Sequence, residues 1–170
     1  MLIASDGGAI VYMKETIYLV GQVSYKEPDT FQWRKEVEDY VHRYGLSQRI
    51  EIVNPCGNRF DHQNLKTGTP TQDVCNKAGS EVIAAKCYNY VLRSSGAIAN
   101  FNLYDRDRLI IGSFLELAWY YANPQKFVEG VMGKKYFDDR VFNHPMVRSA
   151  VDFWCEDHIE AIKTIENIFA

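Results

Sequence analysis

Blocks of apolar residues with two different spacings alternate along the chain. Thr16-Ile-Tyr-Leu-Val20 is a short β-rich run closed by Gly21 and predicts a buried strand. Pro28, Asp29 and Thr30 supply a turn and a helix N-cap. From Phe31 to Tyr44 the apolar positions Val37, Tyr40, Val41 and Tyr44 recur at helical spacing, and Gly45 ends the pattern. Arg49 to Asn54 predicts a second strand, closed by Pro55. Glu81 to Arg93 predicts a helix with Ile83, Cys87, Tyr90 and Val91 on one face. Gly96 to Asn102 predicts a third strand, Gly112 to Asn123 an apolar helix, and Lys126 to Met132 a fourth strand. Residues 133 to 149 look irregular. Ala150 to Trp154 predicts a fifth strand, and Glu156 to Phe169 a closing amphipathic helix with Ile159, Ile162, Ile165 and Phe169 inward.

Strands that alternate with helices at this spacing predict one α/β domain, Rossmann-like or flavodoxin-like. Its sheet has about five mainly parallel strands, with helices on both faces. The strand beginning near Gly96 is expected at the centre, because its apolar run has no polar alternation. Ligands of such sheets bind outside the carboxyl ends of the strands. That rule places the segment after Gly21, the loop after Asn54 and the segment after Asn102 on one rim. The domain is expected over 16–170, with 1–15 a loosely held extension.

Composition narrows the partners. The 170 residues carry a net charge of −3 and no basic tract, so no nucleic-acid polymer is expected. No apolar run approaches the ~18 residues of a membrane span, and the first residues lack the basic start of a signal peptide. Cys56, Cys75, Cys87 and Cys155 form no C-x-x-C pair and match no zinc spacing, which reads as reduced thiols in a cytoplasmic protein. Neither a metal nor a cofactor is expected. Aromatics at 14% serve either as core anchors or as stacking surfaces for a flat ligand.

Glu116 is a lone carboxylate in the first turns of an otherwise apolar helix. Burying it costs several kcal/mol unless it is paired or used, and the helix dipole offsets part of that cost. The alternative is a solvent-facing or capping residue. Gly21, Gln22, Val23, Ser24 and Tyr25 form either a ligand loop or an ordinary turn; they are no phosphate loop. Residues 55 to 79, rich in Gly, Asn, Asp and Thr, form either a lid or a disordered excursion. Asp61 and His62 in that stretch are either an acid/base pair or surface polar groups. His42 and His158 are expected to face solvent. Trp33, Trp119 and Trp154 are expected in the core, with Trp119 close enough to Glu116 to line a pocket.

Several of these segments together resemble nucleoside 2-deoxyribosyltransferases. Ile17-Tyr-Leu-Val-Gly21 resembles that family's opening strand and ligand loop, and Gly96-Ala-Ile-Ala-Asn100 its central strand. Gly112-x-x-x-Glu116-x-Ala118 resembles its G-x-x-x-E-x-G-x-A helix, and His144-Pro145 its closing segment. The resemblance spans about residues 16 to 169. It implies a glutamate, here Glu116, that attacks C1′ of a 2′-deoxynucleoside or its 5′-monophosphate. The base leaves, and a second base or water takes the sugar from the covalent intermediate. It further implies Asp61, Asp105 or Asp107 as proton donor. Gly21 to Tyr25, Ser94, Ser95, Asn100, Gly112 and Trp119 would bind substrate. The partners are a nucleoside or nucleotide and a free base, and the protein is expected to be a homo-oligomer. Ser95 stands where the family commonly has Asp, Ile110 where it has Asp or Ser, and Ala118 where many members have Gly. A catalytically altered nucleotide-binding or sensing module with the same fold is the alternative.

Overall fold

The computed structural model describes residues 2–4, 10–12, 14–24, 26–56 and 80–169. Ile17, Tyr18, Leu19 and Val20 are fully buried in strand β3 (Glu15–Gly21), and every residue of β5 (Gly96–Asn100) is buried. Strands buried on both faces belong to the middle of a parallel sheet. Five parallel strands form that sheet, with β4 (Ile50–Val53), β6 (Phe127–Val131) and β7 (Phe153–Cys155) in the spatial order β4-β3-β5-β6-β7. The register runs from Ile17 opposite Gly96 to Gly21 opposite Asn100, and onward to Val131 beside Asn100. The extension forms an antiparallel pair of its own, β1 (Leu2–Ala4) with β2 (Ile10–Tyr12), separate from this sheet.

The helices take both faces because the strand side chains alternate. Ile17 and Leu19 pack with Trp33, Val37 and Val41 of α1 (Asp29–Arg43) and with Ala161, Ile162 and Ile165 of the last helix, α6 (His158–Ile168). Tyr18 and Val20 pack the other way. They meet Val91 of α2 (Ser80–Arg93), Leu117 and Tyr120 of α3 (Ile111–Tyr121), and Val147 and Ala150 further along. Asp157 caps α6 by accepting from the amides of Ile159 and Glu160, both at 2.8 Å. The α/β architecture and the central place of β5 are as the apolar pattern predicts.

The differences lie after β6. Residues 133–149 are not irregular: a 3₁₀ turn (Lys134–Tyr136) is followed by α4 (Asp139–Phe142) and by α5 (Pro145–Ala150), which opens on a proline. The fifth strand therefore begins at Phe153, after α5 has used Ala150. These helices are too short to show a period in sequence. His158 does not face solvent. Its ring Nε2 meets Glu36 Oε2 at 2.7 Å and ties α6 to α1. Trp33 is buried, whereas Trp119 and Trp154 are only half-buried. The expected excursion over 55–79 lies, from 57 onward, outside the described residues, as does Asp61.

Glu129 on β6 is a carboxyl with no exposure, placed among side chains of the α1/α6 face. Its Oε1 has no hydrogen-bond partner, and Oε2 accepts only from the Cys155 thiol at 3.5 Å. Burial pushes its pKa up to about 7, helped by the negative neighbours Asp152 and Glu160. In the unfolded chain it titrates near 4.5. The folded state thus holds the extra proton between those values, and stability falls as pH rises from about 4.5 to about 7. Glu129→Gln should remove that slope. In urea titrations the variant's stability relative to wild type should grow across this window, by roughly 2–3 kcal/mol, and level off above it.

Candidate functional site

The strand order steps one way from β3 to β4 and the other way to β5, so the carboxyl ends of β3 and β5 flank a switch point. Gly21 and Asn100 are the last residues of those two strands. A Cβ on Gly21 would stand 3.0 Å from the Asn100 carbonyl oxygen and 3.1 Å from the Trp33 ring, so only glycine lets the strands close here.

The segments leaving these two ends are joined by the amide of Gln22. Its Nε2 donates to the carbonyls of Asp105 at 2.7 Å and Arg108 at 2.8 Å, and its Oε1 accepts from the Asp105 amide at 2.8 Å. The Ser24 hydroxyl donates to Asp105 Oδ2 at 2.5 Å, and Asp105 Oδ1 accepts from the amide of Asp107 at 3.0 Å. These bonds hold the Asp105 carboxyl below the usual carboxylate range, the Ser24 hydroxyl contributing most. Beneath the first loop, Arg34 is buried at an inward position of α1. It donates to the carbonyls of Gly21 at 2.8 Å and Gln22 at 3.2 Å, and to that of Thr30. Its guanidinium carbon lies 4.5 Å from the centre of the Trp33 ring, and its Nε has no partner.

Glu116 leaves α3 toward the sheet. The Tyr18 hydroxyl donates to its Oε1 at 2.6 Å, joining residues 98 apart in sequence. Cys87 of α2 lies against both groups. Burial pushes the Glu116 carboxyl above the usual range, while hydrogen bonds from Tyr18 and Cys87 and the charge of Arg34 pull it back. Burial first, and the Glu116 charge second, push the Tyr18 hydroxyl well above the ordinary tyrosine value and the Cys87 thiol up to about 12. Both therefore stay protonated, and the Tyr18 hydroxyl acts as the donor. The arrangement is a carboxylate of raised basicity with its plane fixed from the sheet, which suits a nucleophile or a general base.

The residues expected at the site divide. Gly21, Gln22, Ser24 and Asp105 come together at the switch point, and Glu116 meets Tyr18 further back along β3. Gln22, Ser24 and Asp105 are buried, however, and spend their polar atoms on one another. Asn100 is likewise committed, accepting from the Asn102 amide at 3.0 Å and donating to the Tyr104 hydroxyl at 3.2 Å. Val23 and Asp107 are exposed. Gly112 is exposed too, and a Cβ there would meet nothing within 4 Å. Trp119 packs edge-on against Tyr88 with ring centres 5.1 Å apart, pinning α3 to α2. Ser94 and Ser95 are at the amino end of β5, roughly 17–20 Å along the chain direction from Asn100. Ser95 donates to Glu15 at 2.5 Å, and Ser94 bonds Tyr120. Tyr25 and Asp61 lie outside the described residues.

Three site residues escape a sequence reading that looks for polar loops. Tyr18 is the one hydroxyl in an aliphatic run, Arg34 is a charge at core-facing helical spacing, and Cys87 reads as one more apolar face position. On the side of α3 turned to α5, a cavity of about 490 Å³ is lined by Phe114, Leu117, Ala118, Tyr121, His144 and most residues of α5, without Glu116. No group of three or more His, Cys, Asp or Glu among the described residues could hold a metal ion. No helix among them is long and apolar enough to cross a membrane. No protein-family model matches the chain, and no curated protein does.

Replacing Gln22 by Leu takes the partner from the buried Asp105 amide and one donor from each of the Asp105 and Arg108 carbonyls. It should lower stability by about 1–3 kcal/mol in urea unfolding, the cost of one buried group left unpaired. Asp105→Asn, which keeps the shape and loses the charge, should cost less.

Proposed function

We propose that the protein cleaves or transfers at the N-glycosidic bond of a 2′-deoxynucleoside or its 5′-monophosphate, with Glu116 as nucleophile. The observation that carries this reading is the 2.6 Å bond from the buried Tyr18 hydroxyl to Glu116, beside the switch point of a parallel sheet. A carboxylate oxygen attacks C1′ and forms an ester. The C1′–N bond breaks, and the base leaves with its electron pair and gains a proton. A nitrogen of a second base, or water, then displaces Glu116. The positive charge that develops at C1′ is matched by the carboxylate. Asp105 is an ionised loop clamp and a poor proton donor, which leaves Asp107, Asp61 or water for that step.

The same engagement of Asp105, with Ser95 at the wrong end of β5, favours a second reading: a nucleotide-binding or sensing module that keeps the fold without turnover. The exposed apolar residues Ile111, Leu115 and Tyr121 on α3 are in keeping with a homo-oligomer.

The deciding experiment is mass spectrometry of the protein after incubation with a panel of deoxynucleosides and deoxynucleoside monophosphates, paired with base-exchange assays. A deoxyribosyl adduct on Glu116 is expected. Binding without adduct or exchange would establish the sensing module instead. Glu116→Ala and Glu116→Gln should each lower exchange by about 10³-fold or more, with nucleoside affinity changing far less.

The pH dependence has a definite sign. Glu116 must be ionised to attack, so activity falls on its acid side at a pH above the ordinary carboxylate range. Tyr18→Phe removes a bond that lowers this pKa and should move the acid limb of kcat/KM to higher pH.

A further inference from the structure

The central strand β5 runs out into three polar residues at alternate positions, Asn100, Asn102 and Tyr104. They stand on the carboxyl rim, where Asn100 is flanked by Gly21 and Val131. Asn100 and Asn102 are buried, and Tyr104 is half-buried. Backbone amides fix which way each asparagine faces. Asn100 Oδ1 accepts from the Asn102 amide at 3.0 Å, and Asn102 Oδ1 accepts from the Gly133 amide at 2.8 Å. Only the oxygen of a carboxamide accepts, so both nitrogens are turned to the Tyr104 hydroxyl. Asn100 Nδ2 donates to it at 3.2 Å and Asn102 Nδ2 at 3.3 Å. The phenol oxygen is thus an acceptor twice over, and its hydrogen points away from both. Among the described residues none accepts that hydrogen. The ring is held from the segment after β6 by Tyr136, edge-on with centres 4.8 Å apart.

We propose that Tyr104 is a ligand-binding residue whose O–H donates to an acceptor atom, oxygen or ring nitrogen, of the sugar or base of a deoxynucleoside. The inference rests on the reading of the site as one for nucleosides or nucleotides, and it holds equally for turnover and for sensing. The hydroxyl stands at the carboxyl end of the central strand, beside the switch point where sheets of this kind take their ligands. Two buried carboxamides fix it in place before a ligand arrives, so little ordering is left to oppose binding. Bonds into the phenol oxygen also polarise its O–H and strengthen it as a donor. A hydroxyl that served the frame alone would close on a protein acceptor, as Ser24 closes on Asp105. Burial holds the proton on Tyr104, pushing it above the ordinary tyrosine value against the pull of the two asparagines. Tyr136 and the negative charge of Asp29 act in the same direction, and that charge suits an uncharged acceptor better than a phosphate.

Titration calorimetry tests this without turnover. Wild type, Tyr104→Phe and Asn102→Asp are each titrated with thymidine, deoxyadenosine and their 5′-monophosphates, with urea unfolding followed alongside. Tyr104→Phe keeps the ring and its contact with Tyr136. It should weaken binding about three- to tenfold, the worth of one uncharged hydrogen bond, and by the same factor for a nucleoside and its monophosphate. Asn102→Asp separates binding from packing. Its carboxylate keeps the bond from Gly133 but cannot donate, so it takes the Tyr104 hydrogen for itself. Its stability should be at or above that of wild type, so a loss of affinity there is not a loss of fold. Affinity should nevertheless fall about as far as in Tyr104→Phe. Affinities unchanged in a folded Tyr104→Phe, a loss confined to the monophosphates, or an Asn102→Asp that binds as tightly as wild type each overturn the proposal alone. A wild-type protein that binds none of the four ligands overturns the functional reading, and this proposal with it.

Discussion

A primary amide presents the donor–acceptor face of a peptide unit, and Gln22 uses that match to pair with the backbone of 105–108 as another strand would. The rest of the carboxyl rim depends on this pairing. Segment 101–110 is the approach to α3, so its anchorage to the first loop sets where Glu116 comes down on Tyr18. With the loops fixed to one another, Asp105 meets Ser24 and the amide of Asp107 without needing a cation. From below, Arg34 takes the carbonyls that the turn after Gly21 leaves unpaired. Side chains that look like ligand contacts are thus spent on holding the two loops together.

Two carboxyls packed against the same sheet, one on β6 and one on α3, show how neighbours divide their roles. Glu129 has a weak thiol donor on one oxygen, none on the other, and negative neighbours, so it is most comfortable neutral. Glu116 has a phenol donor and the field of a buried guanidinium, so its charged form is partly restored. Burial raises both, and the donors and charges around each decide how far.

The fold was legible because β3 and β5 are short, apolar without alternation and spaced by helix-length segments, which leaves a parallel sheet as the economical arrangement. Glu116 was legible because a lone acid in an apolar helix is conspicuous. Its partners were not. A tyrosine among Ile, Leu and Val looks like one more core residue, and nothing local says that its hydroxyl ends beside a residue 98 positions on. The resemblance puts Ser94 and Ser95 at the site, Ser95 in the place of that family's Asp, yet in this sheet they lie at the amino end of β5. The helices α4 and α5 were invisible for want of length, a turn or two being too little for a hydrophobic period to register.

The pairing of β3 with β5 also bears on how the chain reaches this state. Thr16 meets Ser95, 79 positions further along the chain, and no hairpin can nucleate a parallel pair. The entropy of closing so large a loop must be met before either strand gains its neighbour, so assembly of the sheet centre is expected to be slow for a domain of this size. The same logarithmic law makes the length of the intervening chain almost immaterial at equilibrium, each doubling costing only about 0.6 kcal/mol. Evolution could therefore lengthen or shorten the stretch between β4 and α2 at little cost to the native state. The effect would fall on the folding rate instead.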